Sequence, residues 1–187
     1  MQGSLARRFS MLALVWANAA SLQMTVVAAP NADTAELSNL VSGLYTRYAW
    51  VAMFSTTPPP NAVPLALANR AELQATFVPD LANAIWDDAQ CAGKRGEICT
   101  LDFDILFDSQ DPSASELTVH ADAQGSEALV CFKVAGGTRK CLTFVGADIH
   151  GTAKVADIIY PGQRSLRQLL GFKRRSNPKS HNATTGG

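Results

Sequence analysis

The chain is poor in the residues that most often carry chemistry. Its three histidines are His120, His150 and His181. His181 falls in a polar C-terminal stretch and His150 beside a turn glycine, so only His120, on a predicted strand, is placed to face a pocket. Nothing assembles a Ser-His-Asp or Cys-His arrangement, because a nucleophile and its base must meet in space. There is no glycine-rich phosphate loop; Gly136-Gly137 reads as a hairpin turn. The four cysteines lack the Cys-x-x-Cys spacing of structural zinc sites, which argues against a metal centre. No cysteine precedes Cys91, so no thiol stands ready for lipidation behind an export signal. Nor does any stretch reach the roughly 20 apolar residues of a membrane-spanning helix.

What the N-terminus does contain reads as an export signal. Arg7 and Arg8 form a short basic region, followed by an apolar stretch from Phe9 to Ala20 whose apolar character continues through Val27 with breaks at Asn18, Ser21 and Gln23. Small residues at Val26-Val27-Ala28, just before Ala29-Pro30, suit cleavage near Ala28. Residues 1–28 are therefore expected to be a signal peptide. Removing them leaves a chain of single-domain length, long enough to bury a real core.

Charge excludes another class. Sixteen Lys and Arg balance sixteen Asp and Glu over the whole chain; without Arg7 and Arg8 the count is 14 against 16. Setting aside Lys173, Arg174, Arg175 and Lys179 leaves 10 against 16, an acidic body that does not resemble a nucleic-acid surface. Residues 173–187 are expected to be a disordered basic and polar tail.

The four cysteines form two close pairs, Cys91 with Cys99 and Cys131 with Cys141. If the turn between the second pair centres on Gly136, Cys131 faces Cys141 across an antiparallel hairpin, within disulfide reach. Stable disulfides require an oxidising compartment, which agrees with the export signal and predicts a periplasmic or secreted protein.

The body splits into a helical first half and a strand-rich second half, the pattern of an α+β domain over 33–172. Asp33 and Glu36 resemble a capping box. Leu37, Leu40, Val41, Leu44, Tyr45, Tyr48, Val51 and Ala52 then recur at three and four residues, predicting a helix that ends near Phe54. A second helix is predicted over 68–76. Pro79 suits the first turn of a third, carrying Leu81, Ala82, Ile85 and Trp86, and 87–96 reads as polar and irregular. Four strands are predicted, at 116–122, 127–134, 138–147 and 153–160. Alternation places Val130, Phe132, Leu142 and Phe144 on one face of the central hairpin and the cysteines on the other. A short helix over 165–172 closes the domain.

Two blocks carry a resemblance. Leu101-Asp102-Phe103-Asp104-Ile105-Leu106-Phe107-Asp108-Ser109-Gln110-Asp111 and the run from Val155 through Asp157-Ile158-Ile159-Tyr160-Pro161-Gly162 to Leu170 together resemble an exported bacterial family designated domain of unknown function 3828. The resemblance spans about Leu37 to Leu170. Ala153 stands where that family usually has a tryptophan. It implies a cone-like domain of the cystatin-like superfold, shared by nuclear transport factor two and ketosteroid isomerase, in which helices pack on a curved antiparallel sheet and leave a pocket. It implies no reaction.

Asp102, Asp104, Asp108 and Asp111 put four carboxylates into ten residues. The glycine and distal Glu of a calcium loop are missing, so turn and capping duties fit better than a metal. If 102–106 is extended, Asp102 and Asp104 share a face while Phe103 and Ile105 turn to the core. Gln110 and Asp111 remain candidates at a pocket mouth. Asp157 on an apolar strand needs a partner if buried; Arg164 or Arg167 would supply one, and Arg167 would equally reach the first block. Ser165 suits the N-cap of the last helix. The candidate ligand-binding set is thus Tyr45, Tyr48, Asp104, Gln110, Asp111, Asp157, Tyr160 and Arg167, with no catalytic set and no cofactor.

Three functions follow from these features. The first is a non-enzymatic envelope module that binds a small ligand or a protein partner, with homodimer formation as a further option. The second is a small lyase or isomerase with Asp157 or Asp104 as base and Tyr45 or Tyr48 as hydrogen-bond donor, in a pocket where burial raises a carboxyl pKa. The third is an immunity-type interaction protein.

Overall fold

The computed structural model describes residues 32–53, 57–58 and 60–172. The expected signal segment 1–28 and tail 173–187 lie outside the described residues, as does Phe54 at the predicted end of the first helix. Helix α1 (Ala32–Tyr48) runs on into a 3₁₀ turn at Ala49–Val51. Its apolar spacing gathers Leu37, Val41, Leu44, Tyr45 and Tyr48 on one face, and all five are buried. Asp33 lies inside α1, which begins at Ala32, and Glu36 accepts the Ala153 N–H at 3.1 Å.

Helix α2 (Arg70–Thr76) opens with a full capping box between Asn69 and Glu72. Pro79 is the first residue of α3 (Pro79–Arg95). The segment 87–96, expected to be irregular, is therefore helical as far as Arg95. It reads as polar because this end of the helix stands out in solvent. Lys94 and Arg95 suit the negative end of the helix dipole, and Gly96, at φ +68°, ends it in the left-handed conformation that glycine tolerates. Cys91 on α3 joins Cys99 across that turn, with Cα atoms 6.1 Å apart.

Five strands follow, one more than expected: β1 (Ala114–Ala121), β2 (Glu127–Val134), β3 (Arg139–Asp148), β4 (Ala153–Tyr160) and β5 (Arg164–Ser165). All neighbours are antiparallel and the order is β1-β2-β3-β4-β5. At two residues β5 is too short for alternation to mark it. Helix α4 (Leu166–Leu169) is shorter than predicted, with Ser165 at its N-cap. The architecture is α+β.

The hairpin register follows the cysteines. Cys131 lies directly opposite Cys141, with Cα atoms 4.1 Å apart, and the two are disulfide-bonded. Gly136 and Gly137, at φ +86° and +83°, make the turn. Val130, Phe132, Leu142 and Phe144 are buried on the inner face against α1. Gly146 is closely approached: a Cβ there would stand 2.7 Å from Leu37 Cδ2 and 3.2 Å from Ser126 O, so a larger residue would push Leu37 aside. Helices cover one face of the sheet. Phe77 bridges Val155, and Val78 N–H donates to Val155 O at 3.0 Å, tying the start of α3 to β4.

Candidate functional site

The first block folds as a tight turn, not as the extended segment its alternation suggests. Asp104 N–H donates to Ser109 O and Asp108 N–H to Asp104 O, both at 2.8 Å, while Asp104 Oδ1 accepts the Leu106 N–H at 2.8 Å. Asp108 sits at φ +50°, a left-handed position that aspartate tolerates better than most residues. The turn drives Ile105, Leu106 and Phe107 into the space between α1 and the sheet, where all three are buried. Phe107 meets the rings of Tyr45 and Phe132 edge-on, with centroids 5.6 and 5.2 Å apart. The space in which the resemblance implied a pocket is therefore filled by the chain itself.

Tyr45, Asp104 and Tyr160 converge on this plug. Tyr45 Oη donates to Leu106 O at 2.5 Å and Tyr160 Oη to Ile105 O at 3.2 Å. Burial, reinforced by nearby carboxylates, pushes both phenol pKa values well up, so both remain donors. Burial also raises the Asp104 carboxyl, opposed by the N–H groups it accepts. Asp108 takes Lys140 Nζ at 3.3 Å and the Arg164 guanidinium, so Arg164, not Arg167, joins the two blocks. Asp102 accepts from Gln110 Nε2 at 2.9 Å on the exposed rim, and Asp111 is exposed nearby. Tyr48 stands apart, buried with the Arg47 guanidinium 5.5 Å from its ring centre, and burial raises its hydroxyl pKa. His120 is exposed.

Asp157 and Arg167 come together on the opposite face of the sheet. One Asp157 oxygen accepts the Ile158 N–H at 2.8 Å and the Arg167 N–H at 3.1 Å; the other takes the Ser165 hydroxyl. Asp157 thus moors α4 to β4 through backbone and Ser165. The Arg167 guanidinium, expected to pair with Asp157 or the first block, forks onto Asp80 instead, at 2.6 and 3.2 Å. That bond is the main cause holding the Asp80 carboxyl below its ordinary range and the Arg167 pKa above its own. Phe172 lies beneath the guanidinium, 4.1 Å from ring centre to Cζ.

Among the described residues three recesses stand out, the smallest, about 210 Å³, bordered by Asp111, Phe107, Phe132 and Lys140; the other two are larger. The outer one, about 640 Å³, has a floor of Val145, Ala147, Ile149, Ala156 and Ile159, and its rim carries Asp80, Arg167, Gln163 and Gln168. The second, about 620 Å³, lies at the free edge of β1, between that strand and the end of α1. Trp50 forms one of its walls, and its Nε1 is the single buried side-chain polar atom among the described residues without a hydrogen-bond partner. Asp80 is a residue that the sequence reading did not single out; its place in the first turn of α3 was the available signal. Among the described residues, no group of three or more His, Cys, Asp or Glu is arranged to hold a metal. Comparison with protein-family models, with curated proteins and with solved structures finds no match to this chain.

Proposed function

We propose that the chain is an exported, non-catalytic binding module that holds a small apolar ligand in the outer recess of its sheet. The observation that carries this reading is the recess itself. Apolar side chains of β3 and β4 line a recess bordered by α4 and the start of α3, while the charged groups around them are already paired. A cavity of about 640 Å³ is within the range of small-molecule sites. The two disulfides fit an oxidising compartment; with the export-type N-terminus they support a periplasmic location. Among the described residues no helix is long and apolar enough to cross a membrane. The resemblance to the exported family of unknown function points the same way.

The lyase or isomerase reading has less support. It needs a carboxylate facing a tyrosine hydroxyl across a substrate-sized space. Here the Tyr45 and Tyr160 hydroxyls donate to carbonyls of the plug, Asp104 staples the turn, and Asp157 anchors α4.

Native mass spectrometry of the protein purified from its export compartment tests the binding reading, alongside amide-shift mapping with a hydrophobic dye. We expect a retained small molecule and dye-induced shifts at 145–149 and 156–159. No mass excess, together with unmoved amides in those segments, sinks it.

A further inference from the structure

The two disulfides sit in opposite surroundings, one between paired strands and the other on a helix end in solvent. We propose that Cys91–Cys99 is a thiol-exchange site, a bond that a dithiol opens selectively and whose opening releases the last turns of α3. The buried residues of α3 are Leu81, Ala82 and Ile85, all in its first half. Beyond Ile85 no residue of the helix is buried, and 93–98 are exposed without exception. A helix end with no core contact has little to hold it against fraying. Cys91 on the helix and Cys99 beyond Gly96 close a covalent loop around that end.

The ease of reducing a disulfide follows how closely the reduced fold keeps its two thiols together. Cys131 and Cys141 stand opposite each other between the pairs Val130–Leu142 and Phe132–Lys140, and Val130, Phe132 and Leu142 are buried. Strand pairing and core packing therefore keep those thiols opposed after reduction, and the bond re-forms. Cys141 is half-buried, as Cys91 and Cys99 are, although its partner Cys131 is only 2% exposed. Pairing, more than exposure, separates the two bonds. Between Cys91 and Cys99 there is only an exposed turn, with no strand partner and no core residue.

A noncovalent tether remains at the helix end. Asp88, one turn before Cys91, accepts the Thr100 N–H at 2.8 Å and the Leu101 N–H at 3.2 Å. It holds the chain just past Cys99 to α3, and the segment beyond leads into the plug. Opening the disulfide therefore frees 89–99 and stops at Asp88, with Ile105, Leu106 and Phe107 left in place. In the exchange a thiolate of the dithiol attacks one sulfur and the Cys91–Cys99 bond breaks; the second thiol then displaces the mixed disulfide. Two electrons and two protons pass to the protein, which gains two thiols as the dithiol closes to a disulfide.

The test equilibrates the full chain in dithiothreitol redox buffers, traps free thiols with N-ethylmaleimide and maps the four cysteines by mass spectrometry. We expect Cys91–Cys99 to be half-reduced at a ratio of reduced to oxidised dithiothreitol about tenfold lower than Cys131–Cys141 requires. Asp88→Ala, which removes the tether, should lower the ratio for Cys91–Cys99 about threefold further and leave the other bond unmoved. Hydrogen exchange is then followed on protein with only Cys91–Cys99 open. Amides at 89–99 should exchange about tenfold faster, with 103–109 and 127–145 unchanged. A chain carrying both Cys91→Ser and Cys99→Ser should show the same pattern. Equal reduction of the two bonds, or Cys131–Cys141 opening first, overturns the proposal. So does unchanged exchange at 89–99 once Cys91–Cys99 is open, or faster exchange that spreads through 103–109.

Discussion

The two larger recesses are nearly equal in volume, about 640 and 620 Å³, and opposite in their polar chemistry. Around the outer recess every charged group named above is engaged within the protein: Asp157 by α4, Asp80 and Arg167 by each other. Around the edge recess one buried donor has no protein partner. Paired charges hold the walls of the outer recess in place. The Trp50 indole N–H, buried away from solvent and without a protein acceptor, is instead a desolvation cost that the fold carries.

The sharpest way to break the contrast is to remove a satisfied group. Asp157→Ala leaves the Ser165 hydroxyl and the Arg167 N–H without their acceptor, and should cost about 2–3 kcal/mol in urea denaturation. A loss below about 0.5 kcal/mol would show that Asp157 does not moor α4. A smaller effect is expected from Arg167→Met, since the pair with Asp80 is partly exposed: about 0.5–1 kcal/mol, shrinking in high salt. Smaller still is Trp50→Phe. It loses some packing but also removes a donor without a partner, so stability should stay within about 1 kcal/mol of the parent. A loss above about 2 kcal/mol would mean that the indole N–H is satisfied after all.

Acid separates the regions by sign. Asp80 by the outer recess titrates below the ordinary value of 3.8, chiefly because Arg167 bonds it. Its contribution is present above the unfolded value and is lost as pH falls through the folded one. Asp104, in the turn that plugs the core, titrates above 3.8 because burial disfavours its charge. Its neutral form is the one the fold prefers, so stability from this group is full below 3.8 and declines as pH rises through the folded value. Asp104→Asn, which keeps an acceptor for the Leu106 N–H, should therefore match or exceed the parent at pH near 7, and the difference should vanish in acid. Carbonyl carbon NMR titration of the two carboxyls checks both directions.

Much of the fold was legible because its determinants are local. The α1 stripe from Leu37 to Tyr48 repeats at the helical period, and Cys131 and Cys141 are equidistant from Gly136, which leaves one sensible hairpin register. The end of α3 was not legible, because a helix projecting into solvent loses the apolar stripe that marks it. In the first block, alternating Asp102-Phe103-Asp104-Ile105 imitated a strand. Its real geometry comes from the Asp104 carboxylate capturing the Leu106 N–H and from the apolar space that Ile105, Leu106 and Phe107 fill. The partner of Arg167 was equally hidden, since Asp80 lies 87 residues away and reaches it only because Phe77 bridges Val155.

By itself the sequence determined the α+β order of elements, the cysteine pairs and the hairpin register, each set by spacing along a few residues or one turn. Tertiary structure alone decided that the expected central pocket is plugged, which carboxylates are engaged, and that Trp50 is left with a buried donor facing no acceptor. Those outcomes depend on desolvation and pairing between distant segments, and nothing in local periodicity records either.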